Sequence, residues 1–172
     1  IDNKEIQKKD TINLLNNSRL LTEFVGFVPQ GFPFMNDLSA KDNLKLWYNG
    51  SPSNLDKELK NGILKLLGID EFASKKVSSL SGGMKKRLSI GCAMAYKPKI
   101  LILDEAGSSL DINGKQFILN YLDKYKKSGG AVIMTSHEES EIAFCDKLYL
   151  IKDGVCSLYN YETMEKLSKE MQ

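Results

Sequence analysis

Two short stretches of this chain have residue types and spacing that suit chemistry. They are Leu80-Ser81-Gly82-Gly83-Met84-Lys85-Lys86-Arg87 and, twelve residues later, Ile100-Leu101-Ile102-Leu103-Asp104-Glu105. The first reads as a helix N-terminus. The Ser81 hydroxyl can cap the opening turn, while Gly82 and Gly83 leave bare backbone N–H donors open to close approach. Such an end attracts anions. In the second, four consecutive aliphatic residues fit a strand covered on both faces, as in a parallel sheet. Asp104 and Glu105 then stand at its carboxyl end, where open α/β sheets place their ligands. A cation, a water or a phosphate belongs beside them.

These groups need elements to hold them. Behind Ser81, the residues Met84, Leu88, Gly91, Cys92 and Ala95 recur at the spacing of one buried helix face, which anchors the open end. Phe24-Val25-Gly26-Phe27-Val28-Pro29 reads as a buried strand ended by proline, with Gln30 directly after it. Ala131 to Thr135 reads as a further parallel strand, and His137 follows it. Between the last two strands, Lys115 to Lys127 presents Phe117, Ile118, Tyr121, Leu122 and Tyr125 on one side, a crossover helix ended by Gly129-Gly130. That makes a βαβ unit, expected to be right-handed. A loop glutamine or a single histidine is ordinarily structural. Here three strands end in Gln30, in Asp104-Glu105 and in His137, and their meeting on one sheet edge is the argument for a site.

The remaining segments are scaffold. Ile1 to Ile6 looks like a strand end and its turn, Asp10 to Arg19 is polar and unassigned, and Gly31 to Asp37 is turn-rich with Phe32, Pro33 and Phe34. Ser39-Ala40-Lys41-Asp42 starts a helix that continues through Leu44, Leu46, Trp47 and Tyr48. One amphipathic helix should carry Leu55, Leu59, Ile63, Leu66 and Leu67 and stop at Gly68. Residues 31–95 would thus form a mainly helical lobe inserted into an α/β domain, with Phe32, Phe34 and Trp47 either packed or offered to a membrane partner. Near the C-terminal end the expectations are a helix over Glu138 to Phe144, a hairpin of Lys147 to Lys152 and Val155 to Tyr159 turning at Asp153-Gly154, and an amphipathic helix over Glu162 to Met171.

Composition sets outer limits. A chain of 172 residues with 42% hydrophobic residues supports one compact domain, burying about 70% of its surface on folding. With 24 basic and 22 acidic residues the net charge is +2, too small to steer the chain to nucleic acid. No apolar run approaches the ~20 residues of a membrane span. Cys92, Cys145 and Cys156 lack metal-ligand spacing and an even count, so reduced thiols are expected, with no disulfide and no zinc. The chain opens at Ile1 rather than methionine, and the reading expects a fragment.

In this order, with Ser108-Ser109-Leu110-Asp111 after the second stretch, the chain resembles the nucleotide-binding domain of ABC transporters over essentially all its length. Leu80 to Arg87 is similar to the family signature, Ile100 to Glu105 to its Walker B segment, and Ser108 to Asp111 to its D-loop. His137 is similar to the switch histidine of the H-loop, and Gln30 to the Q-loop glutamine. The resemblance implies a P-loop NTPase-type parallel sheet core, incomplete in this chain, with an inserted mainly helical subdomain. Residues 1–30 would belong to the ATPase core, with its N-terminal part missing. Residues 31–95 would form the helical subdomain with the signature, and 96–172 the core with Walker B, D-loop and H-loop.

The same resemblance implies ATP and Mg²⁺ as cofactors and ATP hydrolysis coupled to transport. Asp104 would hold Mg²⁺ with Gln30 as a further ligand, Glu105 would act as general base on water, and His137 would contact the γ-phosphate or hold the attack geometry. Ser81, Gly82 and Gly83 would close over the ATP of a second nucleotide-binding domain, identical or not, and Asp111 would help join the two sites. Transmembrane permease subunits or domains would hold the protein at the cytoplasmic face of the membrane.

The resemblance has departures. No G-x-x-x-x-G-K-[ST] occurs in the 172 residues, and the Gly114-Lys115 pair is followed by Gln116. Without that loop's N–H nest and lysine, ATP binding should be weak, so the parent protein is expected to be an ATPase and this fragment alone inactive. Met84 stands where glutamine is usual, and Ala106-Gly107-Ser108-Ser109 where proline, threonine and a later glycine are frequent. LSGGMKKR looks most similar to exporters of drugs, peptides or lipids. Two alternatives stay open: a soluble ABC ATPase of DNA repair or translation, and a degenerate regulatory module that does not hydrolyse ATP. The fifty residues between Gln30 and Ser81 are too few for an inserted coiled coil, which favours transport. Retention of Gln30, Asp104, Glu105 and His137 favours hydrolysis.

Overall fold

Local rules account for most of the helix starts. Ser39, Ser81 and Asp111 each accept a hydrogen bond from the backbone N–H three residues on, which satisfies an otherwise orphaned donor. Helices α2 (Ala40–Tyr48), α5 (Gly82–Ala93) and α6 (Ile112–Lys127) begin at these caps. In the computed structural model, residues 17–31, 33–105, 107 and 110–159 are described. The expected strand end at Ile1 to Ile6 and helix at Glu162 to Met171 fall outside them, as do Phe32, Ser108 and Ser109.

Strands β1 (Val25–Val28), β2 (Ile100–Asp104) and β3 (Ala131–Thr135) form one parallel sheet in the order β1-β2-β3. Register aligns Val28 with Leu103, and Asp104 with Thr135, so the carboxyl ends of all three strands lie along one edge. Leu101 and Leu103 are fully buried on one face of β2, with Ile102 half-buried on the other. Phe27 and Ile133, which flank Ile102 in register, are 56% and 55% exposed. Among the described residues the sheet is therefore covered on one face, against the expectation of two.

The covered face carries α5 and α6. Helix α5 runs through the middle of the fold, with Lys86, Leu88, Ser89, Ile90, Gly91 and Cys92 all buried. A Cβ at Gly91 would stand 2.7 Å from Ile69 Cδ1 and 2.8 Å from Leu64 Cδ2, and one at Gly26 only 2.8 Å from the Ala93 carbonyl. Glycine is what lets these elements approach so closely. The guanidinium of Arg87 lies 5.2 Å from the Phe72 ring and 5.0 Å from the Phe117 ring, and donates to the Leu67 carbonyl.

Two expected elements differ in kind, and α6 starts at Ile112, three residues before the expected Lys115. Phe24 ends a short helix, α1 (Ser18–Phe24), and the strand starts at Val25, because Asn17 caps a turn through the Leu20 N–H. The single amphipathic helix after Asn54 is two, α3 (Leu55–Asn61) and α4 (Ile63–Leu66). At the break, Glu58 Oε2 accepts from the Ile63 N–H at 2.8 Å, supplying α4 with its own cap, and Gly62 accommodates the crowding. Phe34 is half-buried against the core, whereas Trp47 is 48% exposed. Gly68 does end α4's turn, in the left-handed conformation at φ +64°.

Helix α7 (Glu139–Phe144) and the antiparallel hairpin β4 (Leu148–Lys152) and β5 (Val155–Tyr159) complete the described chain. Asp153 and Gly154, both at positive φ, make the expected tight turn.

Candidate functional site

The first polar contacts on the sheet edge link adjacent strands. Gln30, two residues beyond β1, donates from Nε2 to Glu105 Oε2 at 2.7 Å, across 75 residues of sequence. Asp104, the last residue of β2, accepts at Oδ1 from the Thr135 hydroxyl at 2.6 Å. The same Thr135 oxygen accepts from the Glu105 N–H at 3.1 Å. One hydroxyl at the end of β3 thus fixes the Asp104 carboxylate and the Glu105 backbone together.

Glu105 has φ +48°, a left-handed conformation for a residue with a side chain. Holding it costs about 1–2 kcal/mol, and such strain persists where the surroundings over-determine it. They do so here: the Glu105 N–H is held by Thr135, and its carbonyl accepts from Lys86 Nζ at 3.2 Å.

His137 stands two residues past β3, on the same edge, with its side chain exposed. The next residue, Glu138, takes both its carboxylate oxygens to Lys115 Nζ at 2.7 Å, and this hydrogen-bonded pairing holds its carboxyl below the usual range. Lys115 lies on α6, so the turn bearing His137 is tied to that helix.

Ser81, Gly82 and Gly83 form a separate station. The Ser81 hydroxyl caps α5 through the Met84 N–H at 3.2 Å, as its position demanded. Asp111 uses Oδ1 to cap α6 through the Gly114 N–H at 2.7 Å. Neither is hydrogen-bonded to Gln30, Asp104 or Glu105 among the described residues.

The donor set bears on a metal. A carboxylate at Asp104 and an amide oxygen at Gln30 are hard donors, the kind that Mg²⁺ takes beside phosphate and water.

Sequence reasoning passed over Thr135, Lys86 and Glu141. Thr135 had a readable signal, a hydroxyl ending a strand that pairs with the acidic one. Lys86 and Glu141 are ordinary charged helix residues until packing buries them, to 0% and 2% exposure.

The family model described as ABC transporter matches residues 1–108. The linearmycin resistance ATP-binding protein LnrL of Bacillus subtilis is 35% identical over 133 residues, covering 76% of this chain and 43% of that protein. The energy-coupling factor transporter ATP-binding protein EcfA1 of Streptococcus pyogenes is 42% identical over 102 residues, 57% of this chain and 36% of that protein. The chain therefore spans less than half the length of these two relatives. A dimeric structure of the ATP-binding cassette MJ0796, in a post-hydrolysis state bound to ADP and Pi, superposes with a TM-score of 0.69 at 25% identity, over 87% of this chain and 68% of that one. A match running from residue 1 to residue 108, in a fold shared with a solved ATP-binding cassette, makes this chain a nucleotide-binding domain of the ABC transporter family.

Proposed function

We propose that the full-length protein binds and hydrolyses ATP to drive transport of a substrate across a membrane, with Glu105 as the general base that activates water. The observation that carries this reading is the Gln30–Glu105 hydrogen bond beside an Asp104 locked by Thr135, three polar groups from two strand ends converging where phosphate would lie. Hydrolysis of a phosphoanhydride needs an oriented water and donors for charge on the transferred group. Glu105 takes the water's proton, Gln30 orients the Glu105 carboxylate, and His137 donates toward the γ-phosphate. Asp104 and Gln30 would hold Mg²⁺, which when bound neutralises phosphate oxygens.

Residues 1–30 and 96–172 act as the ATPase core and residues 31–95 as a helical lobe presenting the α5 N-terminus. Ser81, Gly82 and Gly83 close over ATP held by a second nucleotide-binding domain, identical or different, where the helix end attracts the γ-phosphate. Asp111 joins the two sites. The dimeric ADP-and-Pi cassette among its structural relatives supports this assembly. Among the described residues no helix is long and apolar enough to cross a membrane, and we assign the membrane-spanning work to permease subunits or domains, with this domain at the cytoplasmic face. The 172 residues contain no G-x-x-x-x-G-K-[ST], so hydrolysis is placed in the full-length protein rather than in these residues alone.

The test is ATP turnover by full-length protein carrying Glu105→Gln. Turnover should fall at least about 100-fold while ATP remains bound, the scale expected for loss of a general base. Wild-type turnover would remove the role given to Glu105.

A further inference from the structure

A buried ammonium touches the catalytic turn from below. Lys86 lies in the second turn of α5, 0% exposed, with Nζ 3.2 Å from the Glu105 carbonyl. Burying a lysine in apolar surroundings is expensive unless the charge is matched. Desolvation pulls the Lys86 pKa down, while the carboxylates of Glu141, Asp104 and Glu105 oppose that pull.

Glu141, on α7, is 2% exposed. Its carboxylate lies so close to the backbone after Glu105 that a Cβ at Gly107 would collide with Oε1 and stand 3.1 Å from Cδ. Gly107 occupies the position where the family resemblance leads one to expect threonine. The departure and the buried carboxylate fit each other, since the space a side chain would fill is taken.

Glu105 is thus gripped at both its backbone N–H and its carbonyl. Thr135 holds the N–H from β3, Lys86 holds the carbonyl from α5, and the φ of +48° between them sets where the carboxylate points. We propose that Lys86, matched by Glu141, is a positioning residue that ties the helix opening at Ser81-Gly82-Gly83 to the backbone that aims the Glu105 carboxylate. Through it, the station that faces a second domain's nucleotide and the station that activates water move together. The inference rests on the reading of Glu105 as general base.

The test is steady-state ATP hydrolysis by the full-length protein carrying Lys86→Met, Lys86→Arg, Glu141→Gln or the Lys86→Met/Glu141→Gln pair, alongside Glu105→Gln. For Lys86→Met, kcat should fall roughly 10–100-fold, the range for residues that orient a catalytic group from behind. KM should stay near wild type, as should binding of a fluorescent ATP analogue. Lys86→Arg should recover most of the rate, because a donor again reaches the carbonyl. The pair should lose no more than Lys86→Met alone, the non-additivity of residues acting as a unit. Wild-type kcat in Lys86→Met overturns the proposal, and so does equal loss of kcat, nucleotide affinity and melting temperature in the Met and Arg variants. If Lys86→Met does not fold, Glu141→Gln decides: reduced kcat at unchanged KM supports the proposal, and wild-type kcat overturns it. Glu105→Gln separates the two levels. Full turnover in that variant overturns the general-base reading and this inference together, whereas an inactive Glu105→Gln beside a fully active Lys86→Met overturns this inference alone.

Discussion

Thr135 does two jobs with one oxygen, donating to Asp104 and accepting from the Glu105 N–H. Removing it frees a carboxylate and a strained backbone at once. Thr135→Ala in the full-length protein should lower kcat roughly 10–100-fold, as loss of an orienting partner does, with Thr135→Ser close to wild type. Steady-state kinetics check this, and equal rates for the two variants would show that the hydroxyl orients nothing. The contrast with His137 is instructive. Its ring is exposed, so on the proposed reading its function depends on a nucleotide arriving rather than on a network already formed.

Among the elements, α5 is decisive because it carries Ser81-Gly82-Gly83 at one end and leans on the sheet at the other. Its close approach to β1 depends on Gly26, where a Cβ would lie 2.8 Å from the Ala93 carbonyl and 2.9 Å from Pro98 Cγ. A backbone carbonyl cannot rotate away as a side chain can. Gly26→Ala should therefore destabilise the fold by about 1–3 kcal/mol, the usual penalty for overpacking, measured as a lowered chemical-denaturation midpoint. An unchanged midpoint would mean that α5 shifts freely on the sheet. The break between α3 and α4 shows the other side of element formation: a continuous apolar stripe did not keep the helix continuous, because the Glu58 carboxylate capped Ile63 instead.

For the whole molecule, the separation of stations matters. Gln30, Asp104 and Glu105 are linked on one sheet edge, while Ser81 and Asp111 spend their side chains on their own helix caps. On the proposed reading, the open N–H groups of α5 complete a site on a second copy or partner domain. Full-length Glu105→Gln protein should then become dimeric on adding ATP, and Gly82→Asp in that background should keep it monomeric, since a carboxylate at the helix opening repels the γ-phosphate. Light scattering coupled to size exclusion reads the outcome. ATP-dependent dimers that persist with Gly82→Asp would remove the role given to the signature station.

The sequence alone determined what rests on local rules: the Ser39 and Ser81 caps, the hydrophobic pattern of the three sheet strands, the Gly68 stop and the Asp153-Gly154 turn. It also determined which residues stand at strand ends, and hence Gln30, Asp104, Glu105 and His137 as candidates. What it could not determine depends on partners far along the chain. Lys86 and Glu141 are buried because α5 and α7 pack beneath one turn, and the Glu105 conformation is set by groups from β3 and α5. Burial of a charge is decided by what covers it, and only the tertiary fold supplies the cover.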